Sequence, residues 1–177
     1  MFKRTYHLLS SLSKESLFYE KHNLPNFSYN FFPTVMMNET RFPARHRLPS
    51  VMMRSGTSKG LFLHRKDLPQ NKAVWGPVLL SVMGSKLGDQ KQLDGIGGGT
   101  STTSKVAIVS KSSRPDADVD YTFVQVAVGK GAVDFSGNCG NMACGVGPFA
   151  LDEGLVQAIP GQTSVREIIQ HTWRKRY

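Results

Sequence analysis

Cysteine is scarce in this chain: two residues, Cys139 and Cys144, in 177 positions. Two thiols five apart cannot form a disulfide framework, and neither a CxxC pair nor a Cys/His ligand cluster is present. This points to a reducing compartment and free thiols and away from a bound metal. Long apolar runs are also missing, since no window approaches the roughly 18 uninterrupted apolar residues that a membrane-spanning helix needs. The sequence predicts no membrane partner. No internal repeat shows, which excludes a solenoid or propeller. Neither GxxxxGK[ST] nor a properly spaced GxGxxG occurs, which excludes the nucleotide loops those motifs build. No cofactor is called for.

What is present is an ordinary globular balance, 40% hydrophobic and 20% charged, enough for one domain with a core. The formal charge of +9 sits largely at the two ends. Lys3, Arg4, Lys14, Lys21, Arg41, Arg45 and Arg47 open the chain, and Arg174, Lys175 and Arg176 close it. Basic tails carry less weight than a basic stripe on a folded face, so nucleic acid is not predicted as a partner.

Residues 1–47 differ in composition from the remainder. MFKRTYHLLSSLSKESLFYEKH has no acid before Glu15 and mixes Ser with Leu and Phe, the composition of an organellar transit peptide. The alternative is a poorly ordered tail, followed by a linker with three prolines. The expected location is mitochondrial, otherwise cytoplasmic.

From residue 48 onward the pattern is mostly strands with two helices, which predicts an α+β fold. Apolar runs around Val51–Met53 and Leu61–Leu63, joined by SGTSKG, predict strand, turn, strand. Val74, Val78, Leu79 and Val82 recur at helical spacing before Gly84, which predicts a helix and its stop. Val106–Val109 and Tyr121–Val128 are β-branched or aromatic and short, so both are expected strands. CGNMACGVGPFALDEGLV predicts one continuous helix kinked at Pro148, with Cys144 buried as a small hydrophobe. TSVREIIQHTW predicts a last strand.

Three segments share an anion-binding chemistry: RSGTSKG, GIGGGTSTTSK and SGNCGN. Each combines glycine, whose backbone N–H groups a ligand can approach closely, with hydroxyl or amide donors, and two of them add a cation. In the third, Asn138 as N-cap would leave Cys139 at the first helical position, with the amides of Gly140 and Asn141 facing outward. A helix start favours a thiolate, so Cys139 becomes a candidate base beside an anion site. Its candidate partner is Lys105, which ends the second loop and precedes an apolar run; partial burial there suits acid/base work. His64 and His171 are expected to be structural or surface residues.

MRSGTSKGLF, LDGIGGGTSTTSKVAIVSKSS, DADVDYTFVQVAV and SGNCGNMACGVGPFALDEGLV together resemble the PrpF family of 2-methylaconitate cis-trans isomerases, relatives of diaminopimelate epimerase and proline racemase. The resemblance runs from about Pro49 to Arg166, with the four blocks in the family's order. It implies a diaminopimelate epimerase-like half, a curved, mostly antiparallel sheet wrapped around a central helix. It also implies that Lys105 and Cys139 are the catalytic pair. The residues of GTSTTSK (Thr100, Ser101, Thr102 and Ser104) and of SGNCGN (Asn138, Gly140 and Asn141) match loops that hold substrate carboxylates. Arg54, Thr57, Ser58 and Lys59 fall in the matching first loop. Ser55 departs mildly from the family's usual Gly or Ala. A second, similar half expected after the first is missing, so the sequence is expected to be truncated.

The function these readings predict is isomerisation of a small unsaturated di- or tricarboxylate by proton removal and return between Lys105 and Cys139. A small carboxylate is the expected ligand, with a homodimer left open. The alternative is a non-catalytic half that at most binds a carboxylate.

Overall fold

In a computed structural model of the protein, residues 4–9 and 45–170 are described. The strands are β1 (Arg4–Leu9), β2 (Arg45–Ser55), β3 (Ser58–His64), β4 (Lys105–Lys111), β5 (Val119–Ala127), β6 (Ala132–Asp134) and β7 (Glu167–Ile169). The helices are α1 (Trp75–Met83), α2 (Gly140–Ala143) and α3 (Val146–Asp152). Apart from β1 and residues 45–47, which open β2, the transit-peptide or tail segment lies outside the described residues, as does His171. Among the described residues no helix is long and apolar enough to cross a membrane.

The strands form one mixed sheet in the order β1-β2-β3-β4-β5-β6, with β7 sharing the outer edge of β5 beside β6. β3–β4 and β5–β7 are parallel and the other four pairings are antiparallel. The expected α+β class with a mostly antiparallel sheet is therefore observed, and the sheet is open rather than closed.

Strand alternation divides the core into two layers. Leu61, Leu63, Val106, Ile108, Val124 and Val126 pack against Trp75, Leu79, Val82 and Met83 of α1. Their neighbours Phe62, Ala107, Val109, Tyr121 and Phe123 pack against Met142, Val146, Phe149 and Ala150 of α2 and α3. A sheet covered on both faces cannot alternate apolar with polar, which is why β4 is apolar at four successive positions. The crossover from β3 to its parallel neighbour β4 passes through α1, whose end at Gly84 (φ 66°, left-handed) is the stop the sequence predicts.

The predicted single helix over Cys139–Val156 is two short ones. Pro148 has no N–H to give the Cys144 carbonyl four residues back, and its ring crowds that carbonyl, so an unbroken helix cannot form. The chain breaks at Cys144–Gly145 and restarts at Val146, which leaves Pro148 in a first turn where no donor is needed. The break also turns Cys144 outward. It is exposed, contrary to the buried position expected for it.

Candidate functional site

Lys105 and Cys139 lie on the α2–α3 side of the sheet. Lys105 opens β4 in step with Ala107 and Val109, both buried in that layer. Its Nζ stands 5.3 Å from the centre of the Phe123 ring, within cation–π range. Gly137, two residues before the cysteine, faces the edge of the same ring, and Cys139 packs against the same apolar layer. Phe123 thus lies against Lys105 and against the loop that leads to Cys139.

Cys139 itself is the N-cap, one position earlier in the helix frame than expected. Its backbone is extended (φ −143°, ψ 107°) and its carbonyl accepts the first helical bond from Ala143 N at 2.9 Å. Asn138 is not the cap: its Oδ1 accepts from the amide of Cys139 at 2.7 Å. The reason is that Cys139 already supplies the extended turn-in, so the Asn138 side chain reaches only the nearest amide. Gly140 is exposed, and a Cβ there would meet nothing. Four residues do not assemble the dipole of a long helix, so the field at the sulfur comes from the local amides of this first turn.

The thiol has a buried neighbour in Tyr121, whose hydroxyl has no partner among the described residues. Burial raises the Tyr121 phenol well above its ordinary range, and negative charge on Cys139 and Glu167 adds to the effect. Burial likewise raises Glu167.

The three loops are tied to one another. In the first, β2 turns into β3 through Gly56 and Thr57, with Ser55 paired to Ser58. Gly56 has φ 55°, as the first residue of a II′ hairpin turn requires. Asn141 Nδ2 donates to Thr57 Oγ1 at 2.9 Å, which links the turn to the helix start. Ser55 Oγ donates to the carbonyls of Asn141 and Met142. Its hydroxyl thereby latches the hairpin under α2, a use for the one mild departure from the family pattern. Lys59 N donates to Thr102 O at 3.0 Å, which joins the first loop to the second.

In the second loop the hydroxyls of Thr100, Thr102 and Thr103 cluster at 2.7–3.0 Å; Thr100, Ser101 and Thr102 are exposed. Ser104 is buried and donates to Gln92 Oε1 at 2.7 Å. Gln92 also accepts from Gly99 N at 2.8 Å.

The sequence candidates therefore separate. Thr57 and Asn141 are joined at the start of α2 beside Gly140, Thr102 is tied to the first loop through Lys59, and Lys105 and Cys139 lie on the same side of the sheet; Thr100, Ser101 and Asn138 are exposed. Ser58 and Ser104 are buried within the supporting structure. Arg54 is exposed and alternates, with Met52, toward the α1 side of the sheet. His64 is structural, as expected: its Nε2 meets Glu153 Oε2 at 3.1 Å and its ring stacks near Phe149. Among the described residues no group of three or more His, Cys, Asp or Glu could hold a metal.

Gln92, Phe123 and Gln125 were not flagged by the sequence reading. For Gln125 a signal exists: it is the lone polar residue in FVQVAV, in step with Phe123.

A thiol at a helix start and a strand lysine thus lie on the same side of an open α+β sheet. The crystal structure of a methylitaconate-delta-isomerase has this fold, with a TM-score of 0.68 and 48% sequence identity over 72% of this chain and 32% of that one. The chain belongs to the PrpF family, whose description is "PrpF protein" and whose match covers residues 45–174. It is 52% identical to the 4-oxalomesaconate tautomerase of Pseudomonas putida over 126 residues, 71% of this chain and 34% of that protein. It is 50% identical to the 3-methylitaconate isomerase of Eubacterium barkeri over 119 residues, 67% and 31% of the two chains. With the 2-methyl-aconitate isomerase of Cupriavidus necator the identity is 51% over 116 residues, 63% and 29% of the two chains. The chain spans about a third of the length of these relatives.

Proposed function

We propose that the chain carries the acid/base half of an isomerase acting on a small unsaturated di- or tricarboxylate. The observation that supports this reading is that Lys105, against the Phe123 ring, and Cys139, two residues beyond Gly137 at the edge of that ring, lie on the same side of the sheet. The relatives' names, isomerases and a tautomerase of methylitaconate, methylaconitate and oxalomesaconate, support the substrate class.

One member of the pair removes a proton from the carbon next to the conjugated double bond. The electron pair spreads through the conjugated system onto a carboxylate, giving a dienolate. The backbone amides of Gly140 and Asn141 at the start of α2 and the exposed Thr100–Thr102 hydroxyls hold that charge. The other member returns a proton to a different carbon, which moves the double bond, or to the same carbon after rotation, which changes its geometry. The carbon skeleton and oxidation state are unchanged, so proton donors and acceptors suffice.

A second reading is a carboxylate binder without turnover; it is favoured by the exposed Thr100, Ser101 and Thr102, whose hydroxyls can hold an anion without any acid/base pair. One experiment separates the two. Unsaturated di- and tricarboxylates are incubated with the protein in D2O and followed by proton NMR. Deuterium entering the allylic position in wild type, and lost in Cys139→Ser and Lys105→Ala with the fold retained, is the expected result. Line broadening without exchange would favour the binder, and exchange untouched by Cys139→Ser would overturn the assignment.

The division of the chain into a leader or tail (residues 1–47) and a site-bearing domain (48–177), with a mitochondrial destination, is proposed on composition. N-terminal sequencing of the mature protein checks it.

A further inference from the structure

We infer that Gln125 is a positioning residue that aims the Lys105 amine, an inference that rests on the role proposed above for Lys105. Gln125 lies directly opposite Lys105 in the β4–β5 register. Lys105 Nζ donates to Gln125 Oε1 at 2.6 Å. The other end of the amide faces three carbonyl oxygens: Ser101 O at 3.1 Å, Ser104 O at 3.1 Å and Val126 O at 3.2 Å.

That surrounding settles the amide orientation on chemical grounds. Carbonyl oxygens accept and do not donate, so the end among them has to be the NH2, and the oxygen has to face the amine. A flip would set oxygen against three oxygens and leave the lysine facing a second donor. Backbone positions on both sides therefore fix the acceptor that Nζ sees. Two of the carbonyls belong to the hydroxyl-rich loop, at Ser101 and Ser104. One side chain thus couples the loop proposed to hold the substrate carboxylate to the group proposed to move the proton.

The geometry divides the work around the amine. Gln125 takes one of its three N–H donors, and the Phe123 ring face lies below the charge. Two donors remain for other partners. A long, flexible lysine stem otherwise spreads over many rotamers, and each restricted rotor narrows where the proton is delivered.

The test uses two variants that separate aiming from loop support. Gln125→Met removes the acceptor and the donors. Gln125→Glu removes the donors to Ser101 and Ser104 and keeps an acceptor facing Nζ. Each full-length variant is acylated at one pH with a limiting amine reagent, and labelling of Lys105 is read by mass spectrometry relative to Lys111 on the same strand. Loss of a hydrogen bond to a charged group frees the amine, so Lys105 labelling is expected to rise about tenfold in Gln125→Met. In Gln125→Glu it is expected to stay at or below wild type.

If both variants rise together, Gln125 only supports the loop and the inference fails. If neither changes, the amine is not held by Gln125 and the inference fails again. Should Gln125→Met not fold, the Gln125→Glu result decides alone: labelling above wild type overturns the proposal. The readout needs no turnover, so an absence of isotope exchange would count against the proposed reaction while leaving this result intact. Where exchange is measurable, Gln125→Met is expected to lower its rate at saturating acid more than it raises the half-saturating concentration.

Discussion

Thr57 and Asn141, separated by 84 positions in the chain, are joined side chain to side chain, with Asn141 Nδ2 donating to Thr57 Oγ1 at 2.9 Å. The Asn141 Oδ1 in turn lies 3.4 Å from the Thr57 amide. Both ends of one amide are thus spent on a single residue of the β2–β3 turn. Gly56 makes room for it, since a Cβ there would overlap the Asn141 side chain. The turn and the helix start consequently move as one body.

Replacing Asn141 tests this latch. Asn141→Ala loses two neutral, partly exposed hydrogen bonds and is expected to cost about 1–2 kcal/mol in urea unfolding. Asn141→Asp keeps an acceptor for the Thr57 amide, and the Thr57 hydroxyl can turn to donate. Its stability is expected to stay close to wild type, whereas affinity for a dicarboxylate, read by calorimetric titration, falls because a negative charge now stands at the start of α2. Wild-type stability in Asn141→Ala would show that the turn is held elsewhere.

Two glycines five residues apart are expected to respond in opposite ways. Gly145 is buried, and a Cβ there would overlap Phe62 and Ser55, the residue that latches the hairpin. Gly145→Ala is expected to destabilise by about 1–3 kcal/mol through overpacking. Gly140 faces open space in the first turn of α2. Gly140→Ala is expected to leave the melting temperature unchanged or raise it, by up to about 1 kcal/mol of helix propensity. Differential scanning calorimetry of the two variants decides, and equal losses would refute the packing argument.

The same two positions show where the sequence was legible and where it was not. Periodicity located β2 to β5 and α1, because each buries a long apolar pattern and Gly84 ends α1 by a local rule. The helix after Cys139 was misjudged because its break depends on a small local conflict. Pro148 denies a donor to Cys144, and Gly145 fits where Phe62 and Ser55 close in; the second of these is a tertiary contact that no window of sequence displays. β6, three residues long, carries too little pattern to be seen. For the site, glycine and hydroxyl content found the three loops. It could not separate Thr57 and Thr102, both exposed, from Ser58 and Ser104, both buried, since that depends on which face each position takes. Gln92 and Gln125 went unnoticed because their partners are backbone groups and side chains that only folding brings near.

Gln92 is the buried anchor of the second loop. It is 1% exposed and has φ 53°, left-handed for a residue with a side chain. Its Oε1 accepts from both Ser104 Oγ and Gly99 N. Gln92→Leu nearly preserves volume and strands those two donors, at about 1–3 kcal/mol each. It also removes the unpartnered Nε2, which offsets one such cost. The net loss is expected to be about 1–3 kcal/mol in chemical denaturation, with faster hydrogen exchange at Gly99. A Leu variant as stable as wild type would mean that the loop holds its shape without this acceptor.

The attachment of β7 to β5 should depend on pH with two opposed slopes. Arg166 hydrogen-bonds Asp118 through its side chain and its amide, which holds the Asp118 carboxyl below its ordinary 3.8. With the folded value lowered, this contribution is complete above 3.8 and is lost as pH falls through the folded value. Burial instead raises Glu167 above its ordinary 4.5. Its ionised form therefore opposes folding at neutral pH, and that cost disappears as pH falls through the raised value toward 4.5. Acidification first tightens β7 and then releases it, with the tightest attachment in the window between the ordinary values 4.5 and 3.8. The amides that report it are Asp118 N and Val119 N, bonded to Arg166 O, and Gln170 N, bonded to Tyr121 O at 2.7 Å. Their hydrogen-exchange protection, corrected for intrinsic rates, is expected to pass through a maximum on acidification. Glu167→Gln should abolish the rise on the neutral side, and Asp118→Asn should abolish the fall on the acid side. Protection that declines steadily from neutral pH in wild type would show that Glu167 carries no burial penalty in this strand.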